Sequence, residues 1–198
     1  MSTYLHLDRS GRAVANTTFR LTTDFTNRRI YSVVGQYCNA DPISRINSLY
    51  PDGLSEHGIR YLLAEDLVIF DQGKITVRTH ISPMIEAIFV LVRMAEFSHR
   101  PSRIQSMFAW LSSAEALNFQ RQEQLGTIYE VQAEDAFIAD QNLLRLGRSG
   151  ADTYEFARNY WSEERSNNEK LEAVIRLPSA IGNTLSPDLK CNSLDPRR

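Results

Sequence analysis

The sequence predicts an α+β domain built on a mainly antiparallel sheet. Three observations carry that expectation. Strand-like and helix-like segments are interspersed without the regular βαβ spacing of a parallel sheet. The clearest strand segments are short and bounded by turn residues. The 198 residues, 42% hydrophobic and 23% charged, are enough for one sizeable core. One domain is therefore expected over residues 1–182, followed by a loosely ordered polar tail over 183–198 with two prolines and few large apolar side chains.

In chain order, TYLHL (3–7) alternates and is β-branched and aromatic, so it reads as a first strand ending at the turn residues Asp8-Arg9-Ser10-Gly11. DPISRINSL (41–49) starts on an Asp-Pro signal and stops before Pro51, which predicts a helix. YPDGLSEHG (50–58) reads as a loop holding Gly53, His57 and Gly58. KITVRTHI (74–81) alternates as a strand, and Ser82-Pro83 then opens a helix over 83–97. That helix is apolar on nearly every side except Glu86, Arg93 and Glu96, so it is expected to be largely buried.

Further on, a strand is expected from Ile104 to Trp110, then a helix opened by a capping box of Ser112 and Glu115. GTIYEVQA (126–133) reads as a strand. DTYEFARNYW (152–161) reads as a helix with a second box of Asp152 and Glu155 and a stripe of Tyr154, Ala157, Tyr160 and Trp161. LEAVIRLP (171–178) reads as a clear late strand.

Composition excludes some partners. Net charge is −2 and the pI about 6.1, so no global basic field gathers nucleic acid or binds an acidic membrane surface, although a local basic groove remains compatible. The N-terminus lacks the order of a secretory signal, and the longest nearly apolar run, 84–92, contains Glu86 and falls far short of the ~20 residues that span a bilayer. A soluble, cytoplasmic protein is expected. Cys38 and Cys191 lack CxxC spacing, so reduced thiols are expected rather than a disulfide framework or a zinc knuckle.

No glycine-rich phosphate loop, HExxH, CxxC pair or GxSxG is present. What remains is a dispersed set: His6 in the first strand, Ser102, Arg103 and Ser106 around a mid-chain strand, and Glu172 at the head of a late strand. Period-2 alternation through PSRIQSMFAW puts Ser102, Ile104, Ser106 and Phe108 on one face and Arg103, Gln105, Met107 and Ala109 on the other. Each of these residues also has a structural reading: Phe108 as core, Arg103 as partner of a carboxylate such as Asp8 or Glu130, Arg9 as a solvated turn residue, Glu172 as a partly solvated strand start. Tyr160-Trp161 reads as core, and Glu130, Glu134, Asp135 and Asp140 as a solvated carboxylate surface.

The order and spacing of YLHLDRSG, YPDGLSEHG, RPSRIQSMFAW, YEVQAEDAFIAD and ARNYWSEE followed by LEAVIRLP resemble the ADP-ribosyltransferase superfamily, in particular a poorly characterised bacterial and phage branch of the His-aromatic-Glu type. The resemblance covers roughly 3–180 and implies a split, mainly antiparallel sheet with flanking helices around bound NAD. It implies Glu172 as the catalytic carboxylate, with Glu169 its rival. It also implies a cofactor-binding set of His6, Arg9, Ser102, Arg103, Ser106, Phe108 and His57, with no metal.

The chemistry suits those residue types. Cleaving the bond between nicotinamide and ribose passes through an oxocarbenium-like sugar, which an adjacent ionised carboxylate stabilises. His6 would donate a ring N–H to a ribose hydroxyl, Ser106 would bond ribose, and Phe108 would stack on nicotinamide where diphtheria-type members use tyrosine. Arginine-modifying members place a Glu or Gln two residues before the catalytic one; here Lys170 stands there, which speaks against an arginine acceptor. The implied function is mono-ADP-ribosyl transfer from NAD to a protein or nucleic-acid acceptor by a toxin, effector or phage-conflict protein, with an antitoxin or inhibitor as partner and no membrane. An NAD glycohydrolase and a catalytically inactive interaction module of the same fold are the alternatives.

Overall fold

The computed structural model describes residues 1–9, 11–25, 37–64, 69–71, 74–76, 82–124 and 126–185. In chain order the elements are β1 (Ser2–Asp8), β2 (Thr18–Phe19), α1 (Pro42–Leu49), α2 (Glu56–Ile59), a π-helical turn (Arg60–Ala64), β3 (Ile69–Asp71), β4 (Lys74–Thr76) and α3 (Ser82–Glu96). There follow a 3-10 turn (Arg103–Gln105), β5 (Ser106–Trp110), α4 (Ser113–Glu123), β6 (Thr127–Ala133), β7 (Phe137–Asp140), a second 3-10 turn (Gln141–Leu143), α5 (Gly150–Trp161), β8 (Leu171–Arg176) and β9 (Ser179–Thr184). Seven strands form one antiparallel sheet in the order β2-β9-β6-β1-β5-β8-β7, and β3 and β4 form a separate hairpin. The α+β class expected from the sequence is the one observed.

The sheet is two halves joined at a narrow seam. β1 pairs with β6 along its whole length, from Ser2↔Ala133 to Asp8↔Thr127. β5 pairs with β8 equally fully, from Ser106↔Arg176 to Trp110↔Glu172. Between β1 and β5 the register among the described residues is a single pair, Leu5↔Trp110. Past that pair the strands part, and the gap is bridged by a side chain, His6 Nδ1 donating to the Phe108 carbonyl at 2.7 Å.

Helices α3 and α5 cover the β5-β8-β7 half. Phe89 and Val92 from α3, Ala157, Tyr160 and Trp161 from α5, and Phe137, Ala139 and Val174 from the strands form one buried cluster. Strand periodicity explains the division of β8: Val174 faces that cluster, while Ala173 and Ile175 pack on the other side with Met107 and Val131.

Four sequence expectations are corrected. The strand expected from Ile104 begins at Ser106, because Arg103–Gln105 close a 3-10 turn through Gln105 N donating to the Ser102 carbonyl. The second capping box lies one turn earlier: Ser149 Oγ accepts from Asp152 N and the Asp152 carboxylate accepts from Ser149 N, so Glu155 takes no part. On α3 the charged Glu86 is buried while Met84, Leu91 and Met94 stand exposed, since Glu86 shares a helical face with Pro83, Phe89 and Val90. Tyr154 is exposed, apart from the buried Ala157, Tyr160 and Trp161. The strand expected over 74–81 is observed to Thr76 and its remainder lies outside the described residues; of the expected tail, 183 and 184 close β9 and 186–198 lie outside them.

Candidate functional site

The parting of β1 and β5 opens a cavity of about 580 Å³, within the range of roughly 300–1,000 Å³ common for ligand clefts. Its walls draw on β1 (His6, Asp8) and Arg9 just after it, β5 (Phe108, Trp110), α2 (His57), α3 (Glu86), the 3-10 turn (Arg103) and β8 (Glu172).

The floor is a buried ionic cluster. Arg103 donates from Nε and Nη2 to the Glu86 carboxylate at 2.9–3.2 Å, and from Nη1 to Glu172 Oε1 and to the Tyr160 hydroxyl, each at 2.5 Å. Tyr160 in turn donates its hydroxyl to Glu172 Oε1 at 2.8 Å. Burial of the tyrosine, with Glu172 beside it, pushes the phenol well above its usual range, so it remains a donor. Burial alone would discourage charge on Glu86 and Arg103. Attraction wins: Arg103, with His57 beside it, holds the Glu86 carboxyl well below the usual carboxylate range, and Glu172 and then Glu86 hold the Arg103 guanidinium well above its own. Two carboxylates on one guanidinium leave the set with a net charge of −1.

Both hydrogen bonds to Glu172 fall on Oε1, and among the described residues Oε2 accepts none although Glu172 lines the cavity. The carboxylate is thus fixed by one oxygen and offers the other. Strand β8 carries it in register with Trp110, so its backbone cannot drift. Glu169 is exposed in the preceding loop, 3.6 Å from Arg165, and lies outside the cavity lining.

A histidine closes the second end of the cluster. His57 Nε2 sits 3.0 Å from Glu86 Oε1, but off the ring N–H direction, so the contact is electrostatic more than an aligned hydrogen bond. Its ring packs between Tyr61 and Phe108, each with centroids 4.5 Å away. The expected loop is here a helix: Ser55 caps α2, its Oγ accepting from Gly58 N and donating to the Ile104 carbonyl. Gly58 lies so close to that strand of chain that an added Cβ would stand 2.2 Å from the Ile104 carbonyl oxygen. Gly58→Ala must therefore displace α2, and with it His57, from the Arg103 turn. It is expected to cost about 1–3 kcal/mol, and thermal melting should show a fall of at least a few degrees by the usual ~2–4 °C per kcal/mol.

His6 lines the cavity from β1. A carbonyl only accepts, so the bond to Phe108 fixes the proton on Nδ1 and leaves Nε2 with a lone pair in the neutral ring. The ring N–H that the resemblance assigned to a ribose hydroxyl is thus taken by the Phe108 carbonyl, and the open nitrogen of the neutral ring is an acceptor. Burial lowers its pKa, partly offset by the Phe108 bond. A folded pKa below the unfolded ~6.5 means the unfolded chain binds more protons, so stability falls as pH drops through that value. Chemical denaturation from neutral to mildly acid pH should show that slope, and His6→Gln should flatten it.

The remaining expected residues divide. Phe108 lines the cavity with Arg103 packed 4.3 Å from its ring centre and His57 beside it, so only its remaining surface is open to a ligand. Ser106 lines it too, but its hydroxyl donates to the Ser102 carbonyl at 2.7 Å, which removes the proton expected for ribose. Ser102 is buried outside the lining with its hydroxyl unpartnered among the described residues, a correction that follows from the 3-10 turn. Arg103 pairs with neither Asp8 nor Glu130 but with Glu86 and Glu172. Arg9 pairs with Glu123 at 2.8 Å, and Asp140 is a buried cap accepting from Asn142, Ser166 and Lys170 backbone N–H groups rather than a solvated carboxylate.

Besides Arg103, four arginines, Arg9, Arg12, Arg20 and Arg60, line the same cavity. Arg12 pairs with Glu56 at 2.6 Å, whereas Arg20 is exposed and has no ion-pair partner among the described residues. Sequence reading missed Glu86 and Tyr160 as members of the site. A signal for the first existed: a lone carboxylate on the buried face of an apolar helix requires a cation, and Arg103 is the buried cation.

Fold and site together define a class: an α+β domain whose split sheet holds an anionic carboxylate–guanidinium cluster beneath arginines. Within it, the chain belongs to the family described as a protein of unknown function, DUF2441, whose model matches residues 4–184. No curated protein matches the chain. Among the described residues no helix is long and apolar enough to cross a membrane.

Proposed function

We propose that the protein is an NAD-using mono-ADP-ribosyltransferase acting on a macromolecular acceptor, with Glu172 beside the scissile glycosidic bond. The observation that carries the reading is Glu172 itself: a buried strand carboxylate anchored through Oε1 by Arg103 and Tyr160, with Oε2 left without a protein donor at the cavity wall.

The electrostatics of the cavity support it further. NAD is cationic at the nicotinamide ring and anionic at the pyrophosphate. The −1 floor suits a ring that carries positive charge and a sugar that gains it. The four arginines suit phosphate oxygens, which guanidinium binds in bidentate fashion. The surface pairs Arg9–Glu123 and Arg12–Glu56 are exposed and of the kind worth at most about 1 kcal/mol, so a phosphate can replace the carboxylate partner.

The test is nicotinamide release from labelled NAD, with NAD binding followed by thermal shift. Wild type is expected to be stabilised by NAD and to release nicotinamide. A protein that does neither would refute the reading.

A further inference from the structure

We propose that His57 accepts the proton of the attacking nucleophile, and that this nucleophile is a neutral O–H group, water or a hydroxyl, rather than a carboxylate or a thiolate. The proposal rests on the NAD reading above.

Three observations carry it. His57 lies in the wall of the same cavity as Glu172, its side chain 18% exposed and its ring gripped between Tyr61 and Phe108. Nε2 stands against Glu86, which Arg103 keeps ionised, so the neutral ring carries its proton on Nε2 and a lone pair on Nδ1. Neither ring nitrogen has an aligned hydrogen bond among the described residues: Nε2 is buried 3.0 Å from Glu86 Oε1, and Nδ1 meets no protein donor. An oriented imidazole with a carboxylate 3.0 Å from one nitrogen and a lone pair on the other can act as a general base, because the adjacent negative charge favours the proton on Nε2 and stabilises the imidazolium that forms. Glu86 and Glu172 share Arg103, so the proton acceptor and the sugar-facing carboxylate are held in one rigid unit.

The step balances as follows. The nucleophile's oxygen forms a bond to ribose C1′, and the C1′–N bond to nicotinamide breaks with its electron pair returning to the ring nitrogen, so nicotinamide leaves neutral. The O–H proton passes to His57 Nδ1 and later to solvent. A carboxylate or thiolate acceptor has no proton to lose and would make such a base idle, so its presence favours a neutral, proton-bearing nucleophile such as an O–H group over either.

The test uses the full chain with labelled NAD, in buffer alone and with cell extract, for wild type, His57→Gln and His57→Ala. Both variants should lose on the order of 10²-fold or more in product formation while binding NAD within about threefold of wild type. Added imidazole should restore part of the loss in His57→Ala. Label in free ADP-ribose identifies water as the nucleophile, and label on protein that resists both hydroxylamine and mercuric ion identifies a hydroxyl; label released by hydroxylamine, as from a carboxylate ester, or by mercuric ion, as from a thioglycoside, overturns the proposal. So do turnover by the variants near that of wild type, absence of imidazole rescue, or loss of NAD binding together with turnover. Wild type that neither binds NAD nor releases nicotinamide overturns the NAD reading and this proposal together; an active wild type indifferent to His57 overturns this proposal alone.

Discussion

Replacing Arg103 with methionine is expected to unfold the protein at a melting temperature lower by on the order of 10 °C, from a loss of about 3–5 kcal/mol. Methionine fills much of the same volume, so the cost is electrical. It leaves Glu86 and Glu172 buried and facing each other across the vacated guanidinium. Without the arginine both carboxyls are driven to hold protons, which raises their folded pKa above the unfolded value. The folded state then binds more protons than the unfolded one, so the variant should lose stability as pH rises through the unfolded carboxylate range near ~4.3. Wild type behaves oppositely there: Glu86 has a depressed folded pKa, and its contribution is present above that range and lost as pH falls. A triple variant that also carries Glu86→Gln and Glu172→Gln removes the stranded charges and should regain much of the loss. An Arg103→Met protein melting within experimental error of wild type would show that the cluster does not stabilise the fold.

Glu172→Gln should separate activity from stability. The amide keeps the shape of the carboxylate and can still accept from Tyr160 and Arg103, and Glu86 continues to neutralise the guanidinium. The cluster passes from −1 to neutral, so folding should change little. Catalysis should not survive as well, because the missing charge is the one offered to a sugar that becomes cationic in the transition state. Nicotinamide release is expected to fall about 10²–10³-fold, with NAD still producing a thermal shift. Normal turnover by this variant would remove Glu172 from the chemistry, whatever the fate of the NAD reading as a whole.

The place of Glu172 at the head of a strand was legible in the sequence from the apolar, β-branched run that follows it, while its role was implied only by the family resemblance; β8 is buried on both faces and carries no polar–apolar alternation to mark the carboxylate. Asp41, Ser112 and the starts of α1 and α4 were legible for a related reason, since a cap bonds its own helix within a few residues. The α2 helix was not. Four residues around a glycine carry no helical period, and what holds them is the Ile104 carbonyl, nearly fifty positions away in the chain. The Arg103 turn failed for the same cause: a 3-10 turn reverses the face on which a side chain emerges, so strand alternation put Arg103 opposite the residues it joins.

Local pattern and composition thus account for the α+β class and most element positions, including the strand that carries Glu172, since each depends on neighbours a few residues apart. Tertiary contact accounts for what the site can do. It recruits Glu86 from α3, Tyr160 from α5 and His57 from α2 around one guanidinium, removes Ser102 from the cavity, and sets the tautomer of His6 through the carbonyl of a strand across the seam. Charge state, proton position and free lone pairs are properties of partners in space, and a linear chain does not specify its partners until it has folded.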